Sequence, residues 1–291
     1  MRPAEYRPLG RGELRALMRS RGISPKKALG QNFVVDPNTV ERVARLARVG
    51  AGDRVVEVGA GFGALTVALA RTGAEVTAIE VDHRLVGEAA SLVPDTVRLV
   101  EADALSCDWG AILGTRAEPA ARWVLVANLP YYVATPLVVE LLKTVPAIFR
   151  MLVMVQAEVG ARFAASPGSR TYGAVSVRVA YFATARLVGR VPPDVFYPRA
   201  RVDSVLVAIE RRAEPAVRPD VAGYGEVDEL VRAGFGGRRK MLRRSLAGLV
   251  APEAFDAAGI DARLRAEQLG VVDWGKLAGC RRSHACSRPP S

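Results

Sequence analysis

The stretch VLVANLPYYVATP, residues 124–136, ends an apolar run on an amide, Asn128, and follows it with Leu129, Pro130 and Tyr131. An asparagine there can accept one N–H of a planar aromatic amine through its side-chain oxygen, while a neighbouring main-chain carbonyl accepts the other. An amine held in that way has its lone pair less delocalised into the ring and more available for attack. Pro130 stiffens the turn that holds these acceptors, and Tyr131 offers a face on which a base can stack. A nucleobase amine is what such a site can hold. Any isolated N-x-P-Y is also a common strand-end turn, so the stretch must be weighed with its surroundings.

A second constellation lies upstream. VVEVGAGFGALT, residues 55–66, sets Gly59, Gly61 and Gly63 between an apolar run and a helix-compatible run. Glycines there let the chain turn tightly and let a ligand lie against bare backbone at a helix N-terminus. Glu80 follows at the distance of a ribose-binding acid. The loop therefore implies an adenosine-containing cofactor without saying which, because Gly59, Gly61 and Ala64 also satisfy the looser dinucleotide fingerprint. Asp103, in VEAD, can accept a hydrogen bond from an exocyclic amino group such as adenine N6, or can serve as a helix N-cap. His83 reads as a surface residue at a helix start, and Cys280, His284 and Cys286 as too few ligands for a zinc site.

These residues need a scaffold that brings them to one edge. RVVEV (54–58), EVTAIE (75–80), VRLVE (97–101), WVLVA (123–127) and RMLVMV (150–155) read as buried strands, and the stretches between them, including PLVVELLKTV, as helices. That alternation predicts a parallel, doubly wound α/β sheet, whose ligands bind at the carboxyl ends of the strands. Residues 173–188 and 204–211 read as two further strands forming an antiparallel hairpin at a sheet edge. A charged, proline-bearing linker near 211–220 leads to a small helical domain. We place the boundaries at 1–213, 214–278 and a disordered tail, 279–291.

The chain has 291 residues, half of them hydrophobic, and a formal net charge of +11, which implies a polyanionic partner. The excess is localised: residues 1–30 hold eight Lys/Arg against two Glu, and residues 230–250 hold six against no acid. In GGRRKMLRRSLAGLV a helix would put Leu242, Leu246 and Leu249 on one face and Arg239, Lys240, Arg243 and Arg244 on others, which we read as phosphate contacts. Three cysteines in so long a chain do not suggest a disulfide framework, and a reducing cytoplasm fits. No signal peptide is expected. The uncharged stretch 123–139 is broken by Asn128, Pro130 and Pro136, so no membrane span is expected either.

With GQNFVVDP (30–37), EVGAGFGALT, IEVD, EADAL and NLPYYVATP in this order and spacing, the sequence resembles the ribosomal RNA adenine dimethyltransferases. VQAEVGARFAASPGSRTYGAVSV (155–177), FYPRARVDSVLV (196–207) and GFGGRRKMLRRSL (234–246) resemble the KsgA branch. The likeness runs from Ser24 to Ala278 and departs at Tyr132, where the family often has Asn, and at Ala157, where it often has a basic residue. It implies a Rossmann-like class I methyltransferase with a mostly parallel seven-stranded sheet, acting as a cytoplasmic monomer on rRNA within a partly assembled small subunit. The implied reaction moves methyls from S-adenosylmethionine to N6 of two adjacent adenines near the 3′ end of small-subunit rRNA, with no metal. Carried over by position, Asn32, Val34, Gly59, Gly61, Glu80 and Asp103 meet the cofactor. Asn128 lies between it and the target base, with Leu129, Pro130 and Tyr131 in the same catalytic motif, and Tyr131 and Phe196 clamp the base. Two other readings stand beside this one: dimethylation of a large-subunit rRNA adenine, as in macrolide-resistance relatives, and a non-catalytic assembly or transcription factor on the same fold. A dehydrogenase would leave Asn128–Tyr131 without a use.

Overall fold

The computed structural model describes residues 6–115, 117–118, 120–237 and 239–285, except for the side chains of Tyr131 and residues 282–285. The chain divides into two compact units, Met1–Gly160 with Arg186–Glu210, and Ala161–Ala185 with Arg211–Ser291. The linear boundary expected at 213/214 thus falls close to one junction. Residues 161–185, which the sequence reading left in the first domain, fold with the second unit.

Two short strands, β1 (Phe33–Val34) and β8 (Phe196–Tyr197), pair antiparallel. The others are β2 (Arg54–Val58), β3 (Glu75–Glu80), β4 (Arg98–Glu101), β5 (Trp123–Asn128), β6 (Ile148–Gln156), β7 (Ala183–Val191) and β9 (Ser204–Arg211). They form one seven-stranded sheet in the order β4-β3-β2-β5-β6-β9-β7. From β4 to β6 every pairing is parallel, and β9 runs antiparallel to β6. The central strands read as unbroken apolar runs because both their faces are buried: Val55, Val56, Leu125 and Val126 have no exposed surface. The helix Pro37–Ala47 begins at Asp36, whose carboxylate accepts from Thr39 N, and it contributes Val40, Val43, Ala44 and Ala47 to that core. Strand order reverses at β2, with β3 on one side and β5 on the other. The crevice at their carboxyl ends is where an open sheet of this kind takes a ligand.

The second unit packs helices Ala174–Phe182, Tyr224–Gly236, Pro252–Ala258 and Val271–Ala285 around Trp274, Leu230, Leu242, Leu246 and Leu277, all fully buried. Gly234 is a condition of this packing, since a Cβ there would lie 2.5 Å from the Trp274 ring.

Four expectations need correction. Residues 173–188 are not one strand: Ala174–Phe182 is helical and β7 follows. Alternating valines at 175, 177 and 179 mimic a strand, but Val177 and Tyr181, four apart, share a helix face in the second core, and burial overrides the propensity. The basic segment is not one long helix. The helix before it ends at Gly236, Met241 bridges to Arg265, and only Leu242–Ser245 is helical. Pro136 does not open a helix but lies inside Tyr131–Thr144. Residues 279–285, expected as tail, continue the last helix, while 286–291 lie outside the described residues.

Candidate active site

A cleft at the carboxyl ends of β2, β3 and β5 is lined by Asn32, Val34, Gly59, Gly61, Glu80, Asp103, Asn128, Leu129, Pro130 and Phe196. The topology has therefore gathered every residue expected at the cofactor, together with Leu129, Pro130 and Phe196. Tyr131 opens the helix that follows Pro130, but its side chain lies outside the described residues. Arg239, Lys240, Arg243 and Arg244 belong to the second unit and are exposed.

The glycine loop leaves β2 with three successive left-handed glycines, at φ 84° for Gly59, 57° for Gly61 and 79° for Gly63. A side chain at Gly61 would sit 3.0 Å from the Phe33 ring, and one at Gly63 2.5 Å from Val93. Gly59 and Gly61 therefore keep main chain, not side chains, facing the cleft. Gly61 N donates to Glu80 Oε2 at 2.9 Å, and Val81 N and Asp82 N both donate to Oε1 at 3.0 Å. Burial pushes the Glu80 carboxyl above its ordinary pKa, and the three N–H bonds oppose that shift. The loop and the acid at the end of β3 are thus one hydrogen-bonded unit. Asp103 heads a turn rather than capping a helix, accepting from Leu105 N at 2.9 Å through Oδ1.

Asn128 is the last residue of β5. Its Nδ2 donates to the Asn32 carbonyl at 3.1 Å. A carbonyl can only accept, so this bond fixes which end of the amide is nitrogen and leaves Oδ1 as an acceptor for an incoming amine. Residues 29–34 line the cleft. Phe33 packs edge-on against Phe62 with ring centroids 5.0 Å apart, and β1 pairs with β8 so that Val34 lies opposite Phe196. Phe196 is only 2% exposed. It forms part of the cleft wall and does not present an open stacking face.

Three residues were missed. Glu57 lines the cleft and is 1% exposed, with Thr66 Oγ1 donating to its Oε2 at 2.6 Å. Burial, reinforced by the nearby Glu80 charge and only partly offset by Thr66, pushes its pKa up to about 8. Its signal was an acid inside an apolar strand. Val81 and Leu105 also line the cleft, yet they are 47% and 43% exposed, apolar surface placed directly after Glu80 and two residues beyond Asp103. Both add half-open aliphatic surface to the cleft, close in the chain to Glu80 and Asp103.

Residues 23–279 match the family described as ribosomal RNA adenine dimethylase. This chain belongs to that family. The ribosomal RNA small subunit methyltransferase A of Leifsonia xyli subsp. xyli is 44% identical over 94% of this chain and 99% of its own length. Its namesake from Cutibacterium acnes is 47% identical over 88% of each chain. Among solved structures, a dimethyladenosine transferase from Plasmodium falciparum aligns with a TM-score of 0.70 at 23% identity, covering 83% of this chain and 94% of that one. The 23S rRNA methyltransferase ErmE aligns with a TM-score of 0.66 at 23% identity, covering 86% and 99%. These two fix the fold as that of the class I methyltransferases. For this dimethylase the cofactor is S-adenosylmethionine, and the lining fits such a group: two carboxylates, Glu80 and Asp103, bare glycine backbone and aliphatic side chains in one cleft. Among the described residues, no group of acidic, His or Cys side chains is suited to a metal ion, and no helix is long and apolar enough to cross a membrane. His284 and Cys286, with Cys280 the weak zinc candidates, have no described side chains.

Proposed function

We propose that this chain transfers methyl groups from S-adenosylmethionine to N6 of two adjacent adenines near the 3′ end of small-subunit (16S) rRNA, giving N6,N6-dimethyladenosines during ribosome biogenesis. The observation that carries the chemistry is Asn128, oriented by the Asn32 carbonyl so that its side-chain oxygen is left to accept. The observation that favours the small subunit is the naming of relatives that match nearly the whole chain.

When bound, S-adenosylmethionine supplies a methyl group made electrophilic by its sulfonium. Glu80 takes the ribose hydroxyls, Asp103 the adenine amino group, and Val81 and Leu105 flank the ring. Asn32, Val34 and Gly59 complete the cradle. Asn128 Oδ1 would accept one N–H of the target adenine and a neighbouring main-chain carbonyl the other, which would orient the amine and leave its lone pair less delocalised into the ring. Tyr131 holds the extruded base against the wall that includes Phe196. Most of the acceleration then comes from alignment, since the reacting partners meet already oriented. The second unit serves as the RNA-binding domain through Arg239, Lys240, Arg243 and Arg244. The protein acts as a cytoplasmic monomer on a partly assembled small subunit.

The test supplies purified protein and S-adenosylmethionine with small subunits, naked 16S rRNA or naked 23S rRNA at matched salt, and reads modified nucleosides by mass spectrometry. Dimethyladenosine in small-subunit rRNA is expected, most abundantly in the subunits. Modification of 23S rRNA alone would transfer the assignment to the large subunit. RNA binding without any methylation would make the chain an assembly factor.

A further inference from the structure

The segment that carries Asn32 and Val34 to the cleft is held at its start by a buried acid. Asp82, two residues beyond Glu80, has a side chain only 3% exposed. Its Oδ1 accepts from Lys26 Nζ at 2.9 Å and its Oδ2 from Gln31 Nε2 at 3.0 Å. The loop closes on itself, because Gln31 Oε1 accepts from Lys26 N at 2.8 Å. Gly30, at φ 61°, makes the bend that returns the chain, and a side chain there would meet Pro130 at 3.0 Å. The next residue after Gln31 is Asn32, whose carbonyl receives the Asn128 amide. On its other side, Asp82 donates its own N–H to Glu80 Oε1 at 3.0 Å.

We propose that Asp82 is a positioning residue, a latch that ties residues 26–34 to the end of β3 and so holds the Asn32 backbone and the Glu80 carboxylate in register around the cofactor. The inference rests on the assignment of the cleft to S-adenosylmethionine. Asp82 does not line the cleft. It acts through Lys26 and Gln31 on one side and through its backbone on the other. The segment is held by Asp82 just beyond β3, by Asn128 at the end of β5 and, at Phe33–Val34, by pairing with β8, and Phe33 packs on Gly61 and Phe62 of the glycine loop. Release at the Asp82 end frees residues 26–31 while Asn32 still meets Asn128, so the effect falls on how long the cofactor stays. Burial works against the Asp82 charge, but the bonds from Lys26 and Gln31 hold its carboxyl below the ordinary range. Arg84 Nε stands farther off, at 3.8 Å. The Lys26 side chain is 42% exposed, which makes the latch sensitive to salt.

The same carboxylate caps the helix His83–Ala90 through Arg84 N, so Lys26 is the cleaner site for variants. Affinity and dissociation rate for S-adenosylmethionine and S-adenosylhomocysteine are measured for wild type, Lys26→Met, Lys26→Arg, Asp82→Asn and the Lys26→Met/Asp82→Asn double variant. Lys26→Met and Asp82→Asn should each weaken binding by ~3- to 10-fold, mostly through faster release, as expected for one partly exposed charge-assisted contact. The double variant should be no worse than the more affected single, because both remove one interaction. Lys26→Arg should restore slow release, and Lys26→Met should flatten the salt dependence of release without lowering the unfolding midpoint. Wild-type release from Lys26→Met, or losses that add in the double variant, would overturn the latch. Failure of the wild type itself to bind S-adenosylmethionine would instead overturn the cofactor assignment.

Discussion

At the scale of single residues, the site rests on two amide and carboxyl groups whose surroundings decide what they can do. Asn128 spends its N–H on the Asn32 carbonyl and keeps its oxygen. Asn128→Ala should therefore cut single-turnover methyl transfer on the order of a hundredfold while changing cofactor affinity far less, because in the proposed reaction that oxygen orients the amine. A mutant of normal rate would reduce the N-x-P-Y stretch to a turn. Glu80→Ala should weaken S-adenosylmethionine binding by about 1.5 to 3 kcal/mol, read by calorimetry, the scale of losing charged hydrogen bonds to two hydroxyls. Glu57 makes a prediction of the opposite kind. Its folded pKa is raised to about 8, so the folded state keeps a proton that the unfolded state gives up near the ordinary carboxyl value. Stability from this group is complete at acid pH and is lost as pH rises from the ordinary carboxyl range toward 8. Glu57→Gln should flatten that decline, measurable as a smaller drop in unfolding midpoint between pH 5 and pH 8. The cleft-lining residues Gly59, Glu80, Asp103 and Asn128 stood out in the sequence because each falls at or just beyond the end of an apolar strand run. Glu57 was harder to read, because inside a strand an acid resembles a solvated position until the neighbouring strands are placed against it.

At the scale of elements, the parallel half of the sheet was readable because strands buried on both faces must be continuous apolar runs, and the helices between them keep a different period. Reading failed where period and burial disagreed, in the valine-rich helix Ala174–Phe182, whose partners lie in the second unit and are remote in sequence. It failed again in the basic run, where Gly236 and Gly237 end one helix and Met241 bridges to Arg265, pairings that no local pattern announces. The glycine loop shows a cost that is visible only in three dimensions. Gly63→Ala must hold a side chain at φ 79° with its Cβ 2.5 Å from Val93, which is itself buried, 3% exposed. We expect a loss of about 2 to 4 kcal/mol, combining left-handed backbone strain with overpacking. Denaturant unfolding checks it, and pairing the change with Val93→Ala should recover part of the loss, since that removes the atom in the way.

At the scale of the whole molecule, the distribution of charge matters more than its sum. The excess of basic residues falls in the N-terminal arm of the first unit and in residues 230–250 of the second. In the second unit the structure separates two roles that the sequence interleaves: Leu242 and Leu246 are fully buried, while Arg239, Lys240, Arg243 and Arg244 are exposed. Replacing those four cations by alanine should therefore leave the second core intact and act only on the polyanion. If the four side chains hold rRNA phosphates, each releases counterions on binding. The variant's log affinity for small-subunit rRNA should then fall less steeply with log salt, by ~0.7 to 0.9 for each phosphate no longer held. Affinity for S-adenosylmethionine should not move, because none of the four replaced residues lines the cleft. Filter binding or anisotropy across a salt series measures the slope directly. Parallel slopes for variant and wild type would return the run to a solvated face and shift the electrostatic burden onto the arginines of the N-terminal arm. A shallower slope with unchanged cofactor affinity would make the second unit the part that grips the RNA, leaving the first to carry out the transfer.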